Sequence, residues 1–276
     1  MAAPSWESKG ADFSDTSATP TFPVPVGATI GKVTIVTMFV NGGATLISST
    51  PLGFAAVPGS PVIASNHRQY RYWKRLTGSD VGTYDFILDT SVFVEGAAEL
   101  FNTVKESGNP FDPNPGTAVS EINASTSPEV STESMGPDRL ILHSATCWSG
   151  GIWTPDQVGY NKRIETPVGL VTTSDKTQAV AGLTSSVTST TTTSDKRTAH
   201  VVALIGTTVA GGSMVSISDE ARTNMLSNRA LAEPQLLSNV DLMRLVLADA
   251  GQVLVPKTNA TVAEHYNRYL ITMRDT

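Results

Sequence analysis

The sequence has little cysteine, little charge and no long hydrophobic run, and each shortage excludes a class of protein. Its single cysteine, Cys147, rules out an internal disulfide, so packing must hold the fold together. Charged residues make up only 16% of the chain, and the formal net charge of −6 disfavours a nucleic-acid or membrane surface. No stretch reaches the roughly 20 apolar residues of a membrane helix. Because Met1–Glu7 also lacks the features of a signal peptide, we expect a soluble protein made in the cytoplasm, without membrane insertion.

Residues 1–208 have the pattern of a β-rich domain, since long helical periodicity is missing from them. The prolines around Phe22 predict an edge strand or an extended arm. Residues 107–138 are rich in Pro, Ser and Thr and predict a long surface excursion, whereas the Thr-rich residues 184–194 predict a solvated strand. We therefore expect a mainly β fold, an antiparallel, jelly-roll-like β-sandwich. The strongest strand candidates are Lys32–Val40, Arg68–Leu76, Tyr84–Val94, Leu140–Trp148 and His200–Ile205.

The pattern changes at a Gly-rich linker, residues 209–212. Three Ser/Thr residues, each followed three positions later by an acid, then predict the starts of three short helices in residues 213–276. Because a module of about 60 residues is marginally stable alone, we expect it to dock on the sandwich or on a neighbouring subunit. The candidate assembly contacts are the arm residue Phe22 and the apolar helix positions Leu242, Leu245, Val246, Tyr266 and Tyr269.

A search for catalytic or metal-binding patterns finds none above background. The four histidines have no close ligand spacing, and Ser149 lacks the first glycine of a nucleophile elbow. Asp85 and Asp89, taken as residues of one strand, would lie about 13 Å apart, which is too far for a glycosidase pair. Asp112 lacks the alternating pattern of a calcium loop. We therefore expect no enzyme activity, no cofactor and no metal site.

Two aromatic groups have both a structural and a binding interpretation. The run from His67 to Arg75 mixes basic and aromatic residues, as single-strand nucleic-acid sites do, but strand alternation in an acidic protein favours packing and no nucleic-acid partner. Trp148, Trp153 and Tyr160 flank a Gly-Gly turn. They are either core residues or exposed rings that contact a host glycan, and exposure of both tryptophans on one patch would favour the glycan.

The order of segments resembles a β-sandwich domain of tail and minor tail proteins from phages of actinobacteria. The segments that carry the resemblance are KVTIVTMFV, YRYWKRLTGSDVGTYDF, NPFDPNPG, RLILHSATCW, GGIWTPDQVGYNKR and HVVALIG, with a C-terminal part similar to small helical units. The resemblance implies a structural component of the virion tail, a minor tail or tail-tip protein whose partners are other tail proteins and copies of itself. The alternatives are a glycan-binding module at the tail tip and a decoration protein of the capsid surface.

Overall fold

The computed structural model describes residues 2–155 and 158–207, without the side chains of residues 121–123. In these residues the chain forms nineteen strands and no α-helix. The predicted linker 209–212 and the predicted helical module 213–276 lie outside the described residues. In chain order the strands are β1 (Ser5–Lys9), β2 (Phe13–Ser17), β3 (Thr21–Pro23), β4 (Val33–Asn41), β5 (Ile47–Ser49), β6 (Ala55–Ala56), β7 (Val62–Ile63), β8 (His67–Arg75), β9 (Thr83–Asp85), β10 (Ile87–Leu88), β11 (Val92–Asn102), β12 (Gly116–Thr126), β13 (Glu133–Ser134), β14 (Arg139–Cys147), β15 (Trp153–Pro155), β16 (Asn161–Glu165), β17 (Val171–Gln178), β18 (Gly182–Leu183) and β19 (Ser189–Ile205).

The first large sheet, sheet A, has the strand order β1-β11-β4-β8-β6, with β2 also paired to β11 and β7 to β8. All of its pairings are antiparallel. At the centre, Thr37 of β4 lies opposite Ala97 on one side and Arg71 on the other. All but the last residue of β4 are buried, so both faces of the strand are covered. This explains why its sequence is apolar almost throughout instead of alternating.

The second large sheet, sheet B, has the order β12-β19-β14-β17-β16, with β15 also paired to β19. It too is antiparallel, and Ser144 of β14 lies opposite His200 of β19 and Thr173 of β17. The whole of β14 is buried, because it lies in the middle of this sheet and is covered on both faces.

The two sheets pack on each other, and each also has a covered outer face. One apolar cluster joins sheet A to sheet B and consists of Val33, Ile35, Val57, Phe101, Val104, Phe111, Leu140, Leu142, Val202 and Leu204. On the outer face of sheet A, residues of β4 pack under β3, β9 and β10. On the outer face of sheet B, residues of β14 and β19 pack with Val130 and Val187. The core is therefore divided into layers, and the central strands have no solvated face.

Most of the predicted strands are confirmed, with two corrections. Residues 32–40, 68–76, 140–148 and 200–205 lie almost wholly within β4, β8, β14 and β19. The single strand predicted for Tyr84–Val94 is wrong, because the chain forms β9, β10 and the start of β11 there, and Asp85 and Asp89 do not share a strand. The loop predicted for residues 117–138 is wrong for residues 117–126, because these form β12, which pairs with β19. Its Ser and Thr residues suit an edge strand with much solvent contact.

Candidate functional site

The aromatic residues proposed for a glycan contact are separated by burial. Trp148 is 38% exposed and Tyr160 is half-buried, but Trp153 is fully buried. The Trp153 indole N–H donates to the carbonyl of Gly169 at 2.7 Å, and the Arg197 guanidinium lies 5.2 Å from its ring centre. A buried indole whose polar atom is satisfied internally cannot stack on a sugar. Of the two interpretations, the glycan contact required both tryptophans to be exposed on one patch, and the burial of Trp153 instead makes it a core residue.

Trp148 lies on a rigid aromatic base at one end of the sheets. Its ring contacts Phe39 with a centroid distance of 6.2 Å, and Phe39 stacks on His67 at 5.0 Å. The neighbouring loops present Ile152 and Val168, which are also exposed. The backbone joins these loops, because Gly151 N donates to the carbonyl of Val168 at 3.2 Å. We call Trp148, Ile152 and Val168 the upper-end surface.

Glu95 of sheet A holds one of these loops. Its buried carboxylate accepts hydrogen bonds from Thr166 Oγ1 at 2.7 Å, from Val168 N at 2.7 Å and from Leu170 N at 2.9 Å. The three donors belong to the turn that enters β17 of sheet B. Charge-assisted hydrogen bonds to backbone N–H groups are among the stronger polar contacts in proteins. Glu95 therefore joins the two sheets and positions Val168 at the upper-end surface.

A second group of polar side chains fills the space between the sheets. Gln69 Nε2 donates to Ser144 Oγ at 2.8 Å, and Thr198 Oγ1 donates to Gln69 Oε1 at 3.1 Å. His67 Nε2 lies 3.0 Å from Thr146 Oγ1. These residues are buried. Their hydrogen bonds run from sheet A to sheet B, so these polar groups hold the two sheets together and are not free to bind a ligand. The basic-aromatic run His67–Arg75 forms β8, and its odd-numbered residues face sheet B. Packing between the sheets therefore explains the alternation of its residues.

Two ionisable side chains, Arg71 and Glu99, complete this network. Arg71 Nη1 donates to the carbonyl of Leu142 at 3.5 Å, and Thr173 Oγ1 donates to Glu99 Oε1 at 2.9 Å. Burial raises the pKa of Glu99 to about 7, although the Thr173 hydrogen bond and the charge of Arg71 act in the other direction. Burial also lowers the pKa of Arg71 to about 10. These side chains thus form a polar network in the core, and burial shifts the pKa values of Arg71 and Glu99.

Two buried histidines are held in their neutral forms. Burial, with a smaller contribution from the charge of Arg71, lowers the pKa of His143 to about 3. Burial also lowers the pKa of His200 well below its usual value. The His200 Nε2–H donates to the carbonyl of Pro58 at 2.9 Å. A perturbed pKa in a cleft suggests catalysis, but these rings are fully buried, so their shifts belong to the energetics of the fold.

Cys147 and Asp112, both considered in the search for chemistry, are also internal. Burial raises the pKa of the Cys147 thiol, and its Sγ donates to the carbonyl of Gly169 at 3.4 Å. Asp112 Oδ2 accepts hydrogen bonds from Met135 N at 2.9 Å and from Arg139 Nε at 3.1 Å. The Asp112–Arg139 ion pair anchors the Pro-rich loop to the start of β14, a role that sequence spacing did not indicate.

The predicted assembly residue Phe22 is not on the surface. It is fully buried in the cluster on the outer face of sheet A, where its ring lies 5.6 Å from Phe13 and 5.8 Å from Phe86. Its role as an intermolecular contact is therefore corrected to a core role, because β3 folds onto the sheet instead of extending as an arm. The other predicted assembly residues, Leu242, Leu245, Val246, Tyr266 and Tyr269, lie outside the described residues.

The sequence analysis missed an exposed apolar group at the opposite end from Trp148. Val26, Ile30, Leu52 and Val81 are between 72% and 94% exposed and lie on loops beside the start of β4 and the end of β8. We call these four residues the lower-end surface. The signal that could have found it is an apolar residue among turn-forming glycines and prolines, as in Pro-Val-Gly and Pro-Leu-Gly.

A groove of about 400 Å³ lies on the outer side of sheet B. Its floor is Ile141, and its walls include Tyr160, Val180 and Leu183, with Lys176 5.7 Å from the ring centre of Tyr160. Burial raises the pKa of Tyr160 to about 12. Tyr160 therefore belongs to this groove and not to the upper-end surface, so the structure does not bring the three predicted glycan residues together.

No family model, curated protein or solved structure matches the chain. None of the described residues forms a helix long and apolar enough to cross a membrane. Residues 2–155 and 158–207 contain no group of three or more His, Cys, Asp or Glu side chains arranged to hold a metal ion.

Proposed function

We propose that the chain is a structural component of a bacteriophage virion, a minor tail or tail-tip protein built on an antiparallel, jelly-roll-like β-sandwich. Support comes from the order of segments that resembles such proteins and from two antiparallel sheets packed face to face. Three buried ionisable side chains make hydrogen bonds between the sheets: Glu95, Arg71 and Glu99. Enzymes place such groups in clefts that substrates reach, whereas here they stabilise the packing of the two sheets.

The observation that carries the proposal is that loops at both ends of the sheets present exposed apolar side chains, although Val158, Val180 and Leu183 are comparably exposed elsewhere. Val26, Leu52 and Val81 are at least 85% exposed, and Ile152 and Val168 are exposed at the other end. Large apolar groups grouped on a surface usually mark contacts with other molecules. Two distinct contact surfaces on one subunit would allow it to contact neighbours on both sides in an assembly.

The test is to look for the chain in purified particles of the phage whose genome encodes it. We expect peptides of this protein in the mass spectrum of density-purified virions, and antibody labelling on the tail in electron micrographs. Labelling on the capsid surface would instead favour a decoration protein. Absence of the chain from virions, with a co-purified capsid protein as the positive control, would contradict a structural role.

The second candidate function is recognition of a host glycan at the tail tip. It is favoured by the partly exposed Trp148 ring, one side of which packs against Phe39. Such a ring gives a sugar contact area at low entropic cost. Trp148 retains this role as a proposal, whereas Trp153 has no part in it.

The chain is first screened on an array of bacterial surface glycans to find one that binds. For that glycan, the Trp148→Ala variant is expected to bind at least about tenfold more weakly, because one stacking contact is lost. Leu183→Ala, which alters an exposed apolar residue in the groove, is the control and should leave affinity unchanged. Binding would be measured by calorimetry. Equal affinity of the Trp148→Ala variant and the parent would remove the upper-end surface as the glycan site.

A further inference from the structure

The lower-end surface is built from two loops that are joined to each other. Residues 24–32 lead into β4, and residues 76–82 leave β8. Three backbone hydrogen bonds connect these loops: Gly31 N to Leu76 O at 2.8 Å, Asp80 N to Ala28 O at 3.2 Å, and Val24 N to Gly82 O at 2.9 Å. Ile30 and Val81 are therefore presented by a preformed scaffold and need no rearrangement to make a contact.

Leu52 extends the same surface from a third loop. Its neighbour Gly53 packs against the side chain of Lys74, and Lys74 Nζ forms an ion pair with Asp80 Oδ2 at 2.7 Å. At the other side of the surface, beside Val26, Lys32 Nζ pairs with Glu7 Oε1 at 2.6 Å. The apolar side chains are thus flanked at both sides by ion pairs, although the chain as a whole has a formal net charge of −6.

A surface of this kind is suited to its own copy. A two-fold contact places the same surface on both partners, so it must be self-complementary in shape and charge. Apolar side chains meet apolar side chains under any two-fold axis that passes through the lower-end surface. The flanking ion pairs carry both signs, so each copy offers a lysine and a carboxylate to its partner, and no like-charge repulsion accumulates.

The two edges of sheet B are poorly suited to the same task. β12, at one edge of sheet B, has register irregularities after Ser120 and Ala124. β16, at the other edge, has an irregularity after Lys162 and carries charged residues. Bulges and charges on edge strands block strand addition by another chain. Self-association through these two edges is therefore disfavoured.

We propose that the lower-end surface is a two-fold interface between two copies of this chain. The proposal rests on the proposed role as a self-associating virion subunit and names the surface involved. Val26, Ile30, Leu52 and Val81 form the apolar centre of the contact, and the pairs Lys32–Glu7 and Lys74–Asp80 form its polar rim, an arrangement typical of protein interfaces.

The experiment is sedimentation equilibrium of the full-length chain over about 1 to 100 µM, the range in which a modest interface dissociates. The parent is expected to reach twice the mass of the chain as concentration rises. The double variant Leu52→Asp/Val81→Asp places four carboxylates in the two-fold contact and is expected to raise the dissociation constant at least about tenfold. The matched control is Val180→Asp/Leu183→Asp, because these residues are similarly exposed but lie at the groove of sheet B.

The outcomes separate this interface from the proposed function. A parent that stays monomeric, or a dimer equally weakened or unaffected by both double variants, overturns the two-fold interface, even if the chain is found in virions. A dimer that only the Leu52→Asp/Val81→Asp variant dissociates supports the interface, even if the chain is absent from virions and the virion role fails. Near-identical circular dichroism and melting temperatures of the two double variants establish that the difference is not a loss of folding. If the lower-end variant does not fold, Ile30→Ser at the same surface replaces it.

Discussion

The Glu95→Gln variant is expected to unfold with a free energy about 3 kcal/mol lower than that of the parent chain, because a buried, charged acceptor is replaced by a neutral amide. Glu95 accepts three hydrogen bonds, and its Oε2 accepts both the Thr166 hydroxyl and the Leu170 N–H. An amide offers one oxygen and one NH2 group, so at least one of these donors would face another donor. Urea denaturation at pH 6 measures the difference.

Glu99→Gln is the matched control, since Glu99 lies four residues further along β11 on the same buried face. Because the pKa of Glu99 is raised to about 7, most folded molecules hold this group protonated at pH 6, and a glutamine resembles that neutral form. We expect a loss of less than about 1 kcal/mol. Equal losses in the two variants would refute the distinction between a carboxylate that acts as a charged acceptor and one that is buried as an acid.

Acid is expected to destabilise the parent chain more steeply than the His143→Gln variant. Since the folded-state pKa of His143 is lowered from 6.5 to about 3, the unfolded state takes up a proton below pH 6.5 that the folded state does not. Stability is therefore lost as the pH falls from about 6.5 towards 3, by about tenfold in the unfolding equilibrium constant for each pH unit. Between pH 7.5 and 4.5, the unfolding equilibrium constant of the parent should therefore rise about 100-fold more than that of the His143→Gln variant.

Two other groups affect how the stability of the parent depends on pH, and they do so equally in the His143→Gln variant. His200 has a lowered pKa and acts in the same direction as His143. Glu99 acts in the opposite direction, because its folded-state pKa is raised from 4.5 to about 7, so protonation of the folded state favours folding as the pH falls through that window. Both groups are present in parent and variant, so the difference between the two curves isolates His143. Parallel curves of stability against pH would show that His143 titrates normally in the folded chain.

The lower-end and upper-end surfaces give the molecule two distinct ends. The lower end is apolar with mixed charges beside it, whereas the upper end has a supported aromatic ring and loops held by Glu95. Under the proposals made above, the lower end contacts a second copy and the upper end contacts a different partner. The dimer and glycan measurements test the two ends independently.

The local sequence was sufficient to predict the strongest strands. The apolar β-branched run that forms β4 and the alternating run that forms β8 both favour strand, the first through its β-branched composition and short length and the second through its period of two. It also indicated the turn-rich segments and a mainly β fold. Strand boundaries were less secure, since the breaks that divide residues 84–94, at Phe86 and at the Asp-Thr-Ser residues 89–91, differ little in composition from a polar strand face.

What the sequence by itself determined is the class of fold and the identity of its central strands, because those depend on local hydrophobic pattern. Which aromatic rings are exposed was decided only by the tertiary structure: Trp148 and Trp153 are five residues apart, but Gly169 and Arg197 bury one of them and Phe39 supports the other. The lower-end surface likewise exists only because backbone hydrogen bonds bring loops distant in sequence together. Burial and surface grouping are properties of long-range packing, which a local pattern does not encode.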